Sequence, residues 1–222
     1  MKHLNIKALA GLLYVFIAVS ALIFLPAWTL NYWQAWLYLV VFMISISTVF
    51  IYLVKKDPEL LARRVNNKEE TKSQKVIHFF INLAFAAVIV IPALDHRFGW
   101  SAVPWFVVIV GDIFVALGIL IIFFVFKENS FTAATIEVAA NQKVISTGPY
   151  ARVRHPMYLG GLIFIVGIPL ALGSWWGLLT IILFVPVLAW RILDEEKFLV
   201  KNLPGYAEYK KKVKYRLMPF IW

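Results

Sequence analysis

The residues with the most chemical potential fall in two short stretches of the second half of the chain. The first runs Gln142-Lys143-Val144-Ile145-Ser146-Thr147-Gly148-Pro149-Tyr150 and continues Ala151-Arg152-Val153-Arg154-His155-Pro156-Met157-Tyr158-Leu159-Gly160. The second is Arg191-Ile192-Leu193-Asp194-Glu195-Glu196-Lys197-Phe198-Leu199. Pro156 suits the first turn of a helix, where its missing N–H leaves no bond unmade. His155 then sits at the cap of that helix, whose N-terminus favours electron-rich or anionic ligand groups. Arg191 and Glu195 are four residues apart, so on a helix they share one face. A guanidinium can fork onto a carboxylate or phosphate, and a carboxylate accepts hydrogen bonds from hydroxyl and amino groups. Each residue alone has a plainer reading. Arg154 and Arg191 can snorkel to lipid head groups, Tyr150 and Tyr158 can be interfacial aromatics, and Asp194-Glu195-Glu196 can balance local positive charge. It is their convergence that points to a site.

The elements that must position them are membrane helices. Of the 222 residues, 62% are hydrophobic and 15% charged, too apolar for one soluble core to hide. This excludes a soluble globular enzyme, a disordered chain and a nucleic-acid-binding module. With no cysteine, thiol nucleophiles, disulfides and Cys-ligated metals are excluded too, and no metal site is expected. The net charge of +10 sits in blocks. No charged residue occurs in the 47 from Ala8 to Val54, enough for two spans with a turn at Asn31-Tyr32-Trp33-Gln34. Further apolar runs cover 76–94 and 104–126, the latter interrupted only by Asp112. The 34 uncharged residues from Met157 to Trp190 break at Gly173-Ser174-Trp175-Trp176-Gly177, a tight turn at a membrane interface. The fold class is therefore all-α and polytopic, with about six transmembrane helices, the last two rather short. Five spans, with 157–190 as a re-entrant hairpin, is the alternative.

Alternating spans with an inner N-terminus place 21 of the 22 Lys and Arg residues on one side, leaving only Arg97 outside. The positive-inside bias then puts both termini and the two polar clusters on the cytoplasmic side. Met1–Lys7 with its apolar run reads as an uncleaved first helix. The first two helices read as lipid-facing scaffold. The 55–75 loop, with seven basic and four acidic residues, reads as a solvated segment touching head groups. His78, Asn82 and Asp112 are polar groups near membrane depth; an intramembrane acid is a functional candidate, and the plainer reading is an interhelical polar pair among the three. A C-terminal hairpin of the last two helices returns His155–Tyr158 and Arg191–Glu195 to the same face, so that hairpin and the tail would form the site.

The same residues carry a family resemblance. Gly-Pro-Tyr-x-x-x-Arg-His-Pro-x-Tyr-x-Gly over Gly148–Gly160, Arg-x-x-x-Glu-Glu-x-x-Leu over Arg191–Leu199, and Tyr-x-x-Tyr at Tyr206 and Tyr209 resemble the membrane-embedded methyltransferases. These are the isoprenylcysteine carboxyl methyltransferases and the related phospholipid N-methyltransferases. The resemblance covers about the last 90 residues. It implies scaffold helices over 1–126 and a catalytic region over 127–222, with S-adenosylmethionine held between the last helices and closed over by the C-terminal segment. It places Gln142, Lys143, Val144 and Ile145 along the cofactor by their backbone, with Tyr150, His155, Pro156, Met157, Tyr158 and Glu195 as further cofactor contacts. Arg191 matches the arginine beside the acceptor, which would be lipophilic: the carboxylate of a prenylated cysteine-like substrate or a phospholipid amine. Membrane lipids are the expected surroundings and nucleic acid is not an expected partner. No Gly-x-Gly-x-x-Gly occurs, so a soluble Rossmann-type methyltransferase is not the scaffold. Two alternatives stay open. One is an NADPH-dependent reductase of the sterol reductase type, a group with a similar C-terminal layout but an Asn where His155 stands. The other is a small non-enzymatic membrane protein.

Overall fold

The computed structural model of the chain describes residues 2–66, 72–132, 138 and 141–222. Over those residues it is helical, with no strand. The helices are α1 (Lys2–Ala27), α2 (Trp33–Lys56), α3 (Pro58–Asn66), α4 (Lys72–Phe98), α5 (Trp105–Glu128), α6 (Pro156–Ala171), α7 (Thr180–Asn202) and α8 (Tyr206–Lys212). α1, α2, α4, α5 and α7 contain stretches long and apolar enough to cross a membrane. Their outer faces carry exposed Leu, Ile, Val, Phe and Trp (Leu13, Ile17, Phe79, Ile113 and Leu183 among them), as helices solvated by lipid do. The chain is a polytopic membrane protein.

α6 is the short one. Its 16 residues span about 24 Å, less than the hydrocarbon thickness of about 30 Å. It nevertheless reaches the far end of the bundle. Tyr32, between α1 and α2, donates from its hydroxyl to the Leu172 carbonyl at 2.6 Å. Asp95, at the end of α4, accepts from the Ser101 amide at 2.7 Å and from the Ser174 hydroxyl. The turn after α6 is thereby tied to the α1–α2 and α4–α5 turns, and the chain passes through the bundle six times.

Two sequence expectations change. Of the last two helices only α6 is short. α7 runs unbroken for 23 residues, because no Gly interrupts Arg191–Leu199 and the helical period continues through its charges. The 55–75 segment is not simply a solvated loop, since α3 occupies 58–66 and buries Leu60 and Leu61. Residues 67–71 of that segment lie outside the described residues.

Packing is tightest between α5 and α6. Gly111 and Gly118 on α5 face Gly160 and Gly167 on α6. A Cβ built on Gly118 would come within 2.6 Å of the Gly160 carbonyl oxygen, and one on Gly167 within 2.8 Å of that of Gly111. Small residues at membrane helix interfaces let backbones approach this closely. With α6 drawn onto α5 and α7 packed against α4, α6 and α7 have little contact with each other. The opening between α4, α6 and α7 is where the two polar clusters meet.

Candidate functional site

That opening is a cavity of about 490 Å³, within the usual range of small-molecule sites. Three helical stripes and one loop form most of its wall. α4 contributes His78, Ile81, Asn82 and Phe85, a run with the spacing of one helix face. α6 contributes Met157, Tyr158, Gly161, Leu162, Phe164 and Ile165, and α7 contributes Phe184, Leu188, Arg191, Glu195 and Leu199. Each stripe is polar near the ends that carry the motif and apolar toward the middle of the bundle. The cavity therefore has one polar end and one apolar end. Gln142, Lys143, Val144 and Ile145 form an irregular segment along the polar end, with Tyr150, Tyr206 and Tyr209 beside it.

All eleven residues singled out from the sequence, from Gln142 to Glu195, line this one cavity. His155 caps α6 and Pro156 takes its first position. The hydroxyl of Tyr158 donates to Glu195 Oε2 at 2.6 Å and accepts from Arg191 Nε at 3.0 Å. One phenol thus joins the two motif clusters, and it fixes both the arginine and the carboxylate. Arg191 is only 6% exposed, so it is built into the wall and does not snorkel to head groups. Asn129, at the end of α5, donates to the Tyr150 hydroxyl at 3.1 Å, and the Tyr209 hydroxyl donates to the Tyr150 carbonyl at 2.8 Å. Burial raises the phenols of Tyr150 and Tyr206 above their ordinary range and that of Tyr209 to about 12, so all three are neutral donors at physiological pH. The hydroxyl of Tyr206 is buried at the cavity wall without a hydrogen-bond partner among the described residues.

Glu196 is the residue the sequence left unassigned. It is 2% exposed and holds the C-terminal tail against the start of α6. Arg154 Nε donates to its Oε1 at 2.7 Å, and His155 Nε2 lies 3.3 Å from the same oxygen. Arg216 Nε donates to Oε2 at 3.1 Å, with Lys210 Nζ at 3.5 Å. Arg154 adds bonds from Nη1 to the Val213 and Lys214 carbonyls at 2.6 and 2.8 Å, and the Arg154 and His155 amides donate to the Tyr215 and Arg216 carbonyls. The signal was present in the Glu-Glu pair. Neighbours on a helix point about 100° apart, so when Glu195 faces the cavity Glu196 must face elsewhere.

The scaffold half also reaches the cavity. His78 and Asn82 line it, as does Arg64 of α3. Asp112 does not join them. It lies on α5 within electrostatic range of Tyr38, its carboxylate buried without a hydrogen-bond partner among the described residues. The expected polar set of His78, Asn82 and Asp112 is thus divided, because Asp112 lies toward the α4–α5 turn whereas His78 and Asn82 lie toward the opposite end of α4.

Comparison with known proteins adds two findings. Residues 106–205, from the start of α5 to the residue before α8, match the family model of phospholipid methyltransferases, which takes in the motif-bearing membrane methyltransferases. A stretch of 91 residues is 32% identical to the Delta(14)-sterol reductase TM7SF2 of Mus musculus. It covers 40% of this chain and 22% of the reductase, so the chain spans about a fifth of that relative's length.

Proposed function

We propose that this chain, whose residues 106–205 match the phospholipid methyltransferase family, is an S-adenosylmethionine-dependent enzyme that methylates a lipophilic acceptor within the membrane. The observation that carries the reading is the cavity with one polar and one apolar end, walled by the motif residues. The residues present suit the cofactor. Glu195 can accept from ribose hydroxyls or an amino group, and the irregular 142–145 backbone offers amides and carbonyls. The Tyr206 hydroxyl, without a hydrogen-bond partner among the described residues, is a buried donor that a polar ligand would satisfy. Gln142, Lys143, Val144 and Ile145 would hold the cofactor with Tyr150, His155, Pro156, Met157, Tyr158 and Glu195. When bound, the cofactor supplies an electrophilic methyl group on a sulfonium.

The chain's own work is then positioning and exclusion of water. Arg191, held by Tyr158 one turn from Glu195, orients a carboxylate or phosphate and transfers no proton, since a guanidinium does not deprotonate in proteins. Ile81, Phe85, Leu162, Phe184 and Leu188 seat hydrocarbon and keep the polar end dry. A carboxylate acceptor needs no general base, whereas an amine must lose a proton. The acceptors in view are the carboxylate of a prenylated cysteine-like compound and the amine of a phospholipid. In this reading 127–222 is the catalytic region, α3 and α4 lend it a wall, and the positive-inside bias puts the site on the cytoplasmic side. The likeness to a sterol reductase supports a second reading, reduction of a lipophilic substrate by a nicotinamide cofactor. Incubating proteoliposomes with S-[methyl-³H]-adenosylmethionine and either phosphatidylethanolamine or a prenylcysteine analogue tests the first. Label in the organic extract supports it. Its absence with both acceptors, with NADPH oxidised on adding a sterol, would favour the second.

A further inference from the structure

We propose that the tail after α8 is a docking surface for an anionic bilayer leaflet, with an apolar tip at Phe220 and Ile221 and a cationic collar of Arg152, Lys211, Lys212 and Lys214. The tip follows from a closed turn. The amides of Arg216 and Leu217 donate to the Trp222 carbonyl at 2.8 and 3.0 Å, which folds 216–222 back on itself. Leu217 is buried in the core shared with the membrane helices, and Met218 and Trp222 pack against that core. The turn therefore sits on the bundle and leaves two apolar side chains outside. Phe220 is 89% exposed and Ile221 78%, the highest values for large hydrophobic residues among those described. Tyr215 and Pro219 join this tip to a shallow groove of about 380 Å³ that Arg152, Lys212 and Lys214 also line. The Tyr215 and Phe220 ring centres lie 5.3 Å apart, so tip and groove are one surface.

Charge names the partner. The five basic residues of 203–222 stand against one acid, Glu208. Lys210 and Arg216 turn inward to Glu196. Lys211, Lys212 and Lys214 stay exposed, as does Arg152, and none of the four is in an ion pair among the described residues. Exposed cations beside an apolar tip are the two halves of an interfacial anchor. The cations meet acidic head groups while the tip enters the acyl boundary. Nucleic acid would satisfy the cations but leave Phe220 and Ile221 in water. The surface also lies at the end of the bundle where the positive-inside bias places the acidic leaflet. Docking reaches the cavity through the same segment, since Tyr206 and Tyr209 line it and Arg216 and Lys210 hold Glu196. A leaflet that holds 211–221 therefore steadies that wall of the cavity.

A nitroxide attached to Ile221→Cys, in a chain without native cysteine, tests this in phosphatidylcholine nanodiscs with or without phosphatidylglycerol. Collisions with molecular oxygen report hydrocarbon, and collisions with a neutral nickel chelate report water. With phosphatidylglycerol present, oxygen contact should rise and chelate contact fall, and high salt should reverse both. Lys212→Gln combined with Lys214→Gln should lower the docked-to-undocked ratio about 20-fold, about fivefold for each cation near an acidic leaflet. Lys212→Arg combined with Lys214→Arg should keep it. Lys56→Gln, an exposed charge at the end of α2, should leave it unchanged. The lipid comparison uses one protein throughout, so it decides even if the Gln pair proves unstable. Equal collision rates in the two lipid compositions, or a ratio within twofold of the parent in a folded Gln pair, would overturn the docking surface. The readout involves no S-adenosylmethionine, so the methyltransferase reading stands or falls separately.

Discussion

The hydroxyl of Tyr158 is the smallest unit on which the site depends, since it accepts from Arg191 and donates to Glu195. The two ends of this bridge should separate in function. Glu195→Gln and His155→Ala should each weaken S-adenosylmethionine binding by about tenfold, the scale of one charged hydrogen bond. Arg191→Ala should abolish transfer while leaving cofactor affinity within a few-fold. Arg191→Lys should restore only part of the transfer, because a point charge cannot replace the fork. Dissociation constants and single-turnover rates on the same preparations check both. Glu196 behaves differently, because it is a buried carboxylate serving cations from three places in the chain. Removing one partner of such a set costs about 3–5 kcal/mol. Glu196→Gln should therefore loosen the tail and speed tryptic cleavage around Lys211 and Lys212, while Glu208→Gln at an exposed position should not. Spacing alone made the Arg191–Glu195 face readable. The partners of Glu196 were not readable, because Lys210 and Arg216 lie 14 and 20 residues away beyond a turn whose path only the fold fixes.

Among the elements, the glycine seam between α5 and α6 governs whether the cavity exists, for it pulls α6 away from α7. Gly118→Val should overpack the seam, where even a Cβ would press on the Gly160 carbonyl, and cost about 1–3 kcal/mol or more. Gly11→Ala meets nothing within 4 Å and should be neutral or slightly stabilising. Unfolding midpoints in one detergent compare the two. The sequence made the apolar helices and their turns legible, because runs without charge and Gly-Trp clusters are local signals. It concealed α3 and the length of α7. In α7 the charges sit on a helix that keeps its period beyond its apolar run, and in α3 they sit on a short separate helix after Asp57, so a reading by charge ends the one too early and misses the other. Arg64 was hidden for the same reason, as one basic residue among the seven of 55–75. His78 and Asn82 were noticed as polar but grouped with Asp112, although α4 and α5 run in opposite directions and place them toward opposite ends of the bundle.

For the molecule as a whole, charge and geometry agree on one polarity. Six passes place the start of α1 and the tail after α7 at the same end, the end that carries the cavity and nearly all the described Lys and Arg residues. Single cysteines are clean reporters in a chain without native cysteine. A probe at position 211 should be labelled only from the cytoplasmic side and one at position 100 only from outside. Reversed labelling would invert the topology and with it the expected side of the site. Under the proposed function, the exposed apolar belt and the two-ended cavity would bring a membrane-dissolved acceptor beside a cofactor drawn from water.

The central claim is that this cavity binds S-adenosylmethionine, and calorimetric titration of the purified wild-type protein with S-adenosylmethionine, S-adenosylhomocysteine and NADPH tests it most directly. Saturable binding of both adenosyl compounds, weakened in Glu195→Gln and His155→Ala and absent for NADPH, is the expected result. Binding of NADPH alone, or adenosyl binding undiminished in both variants, would contradict the account.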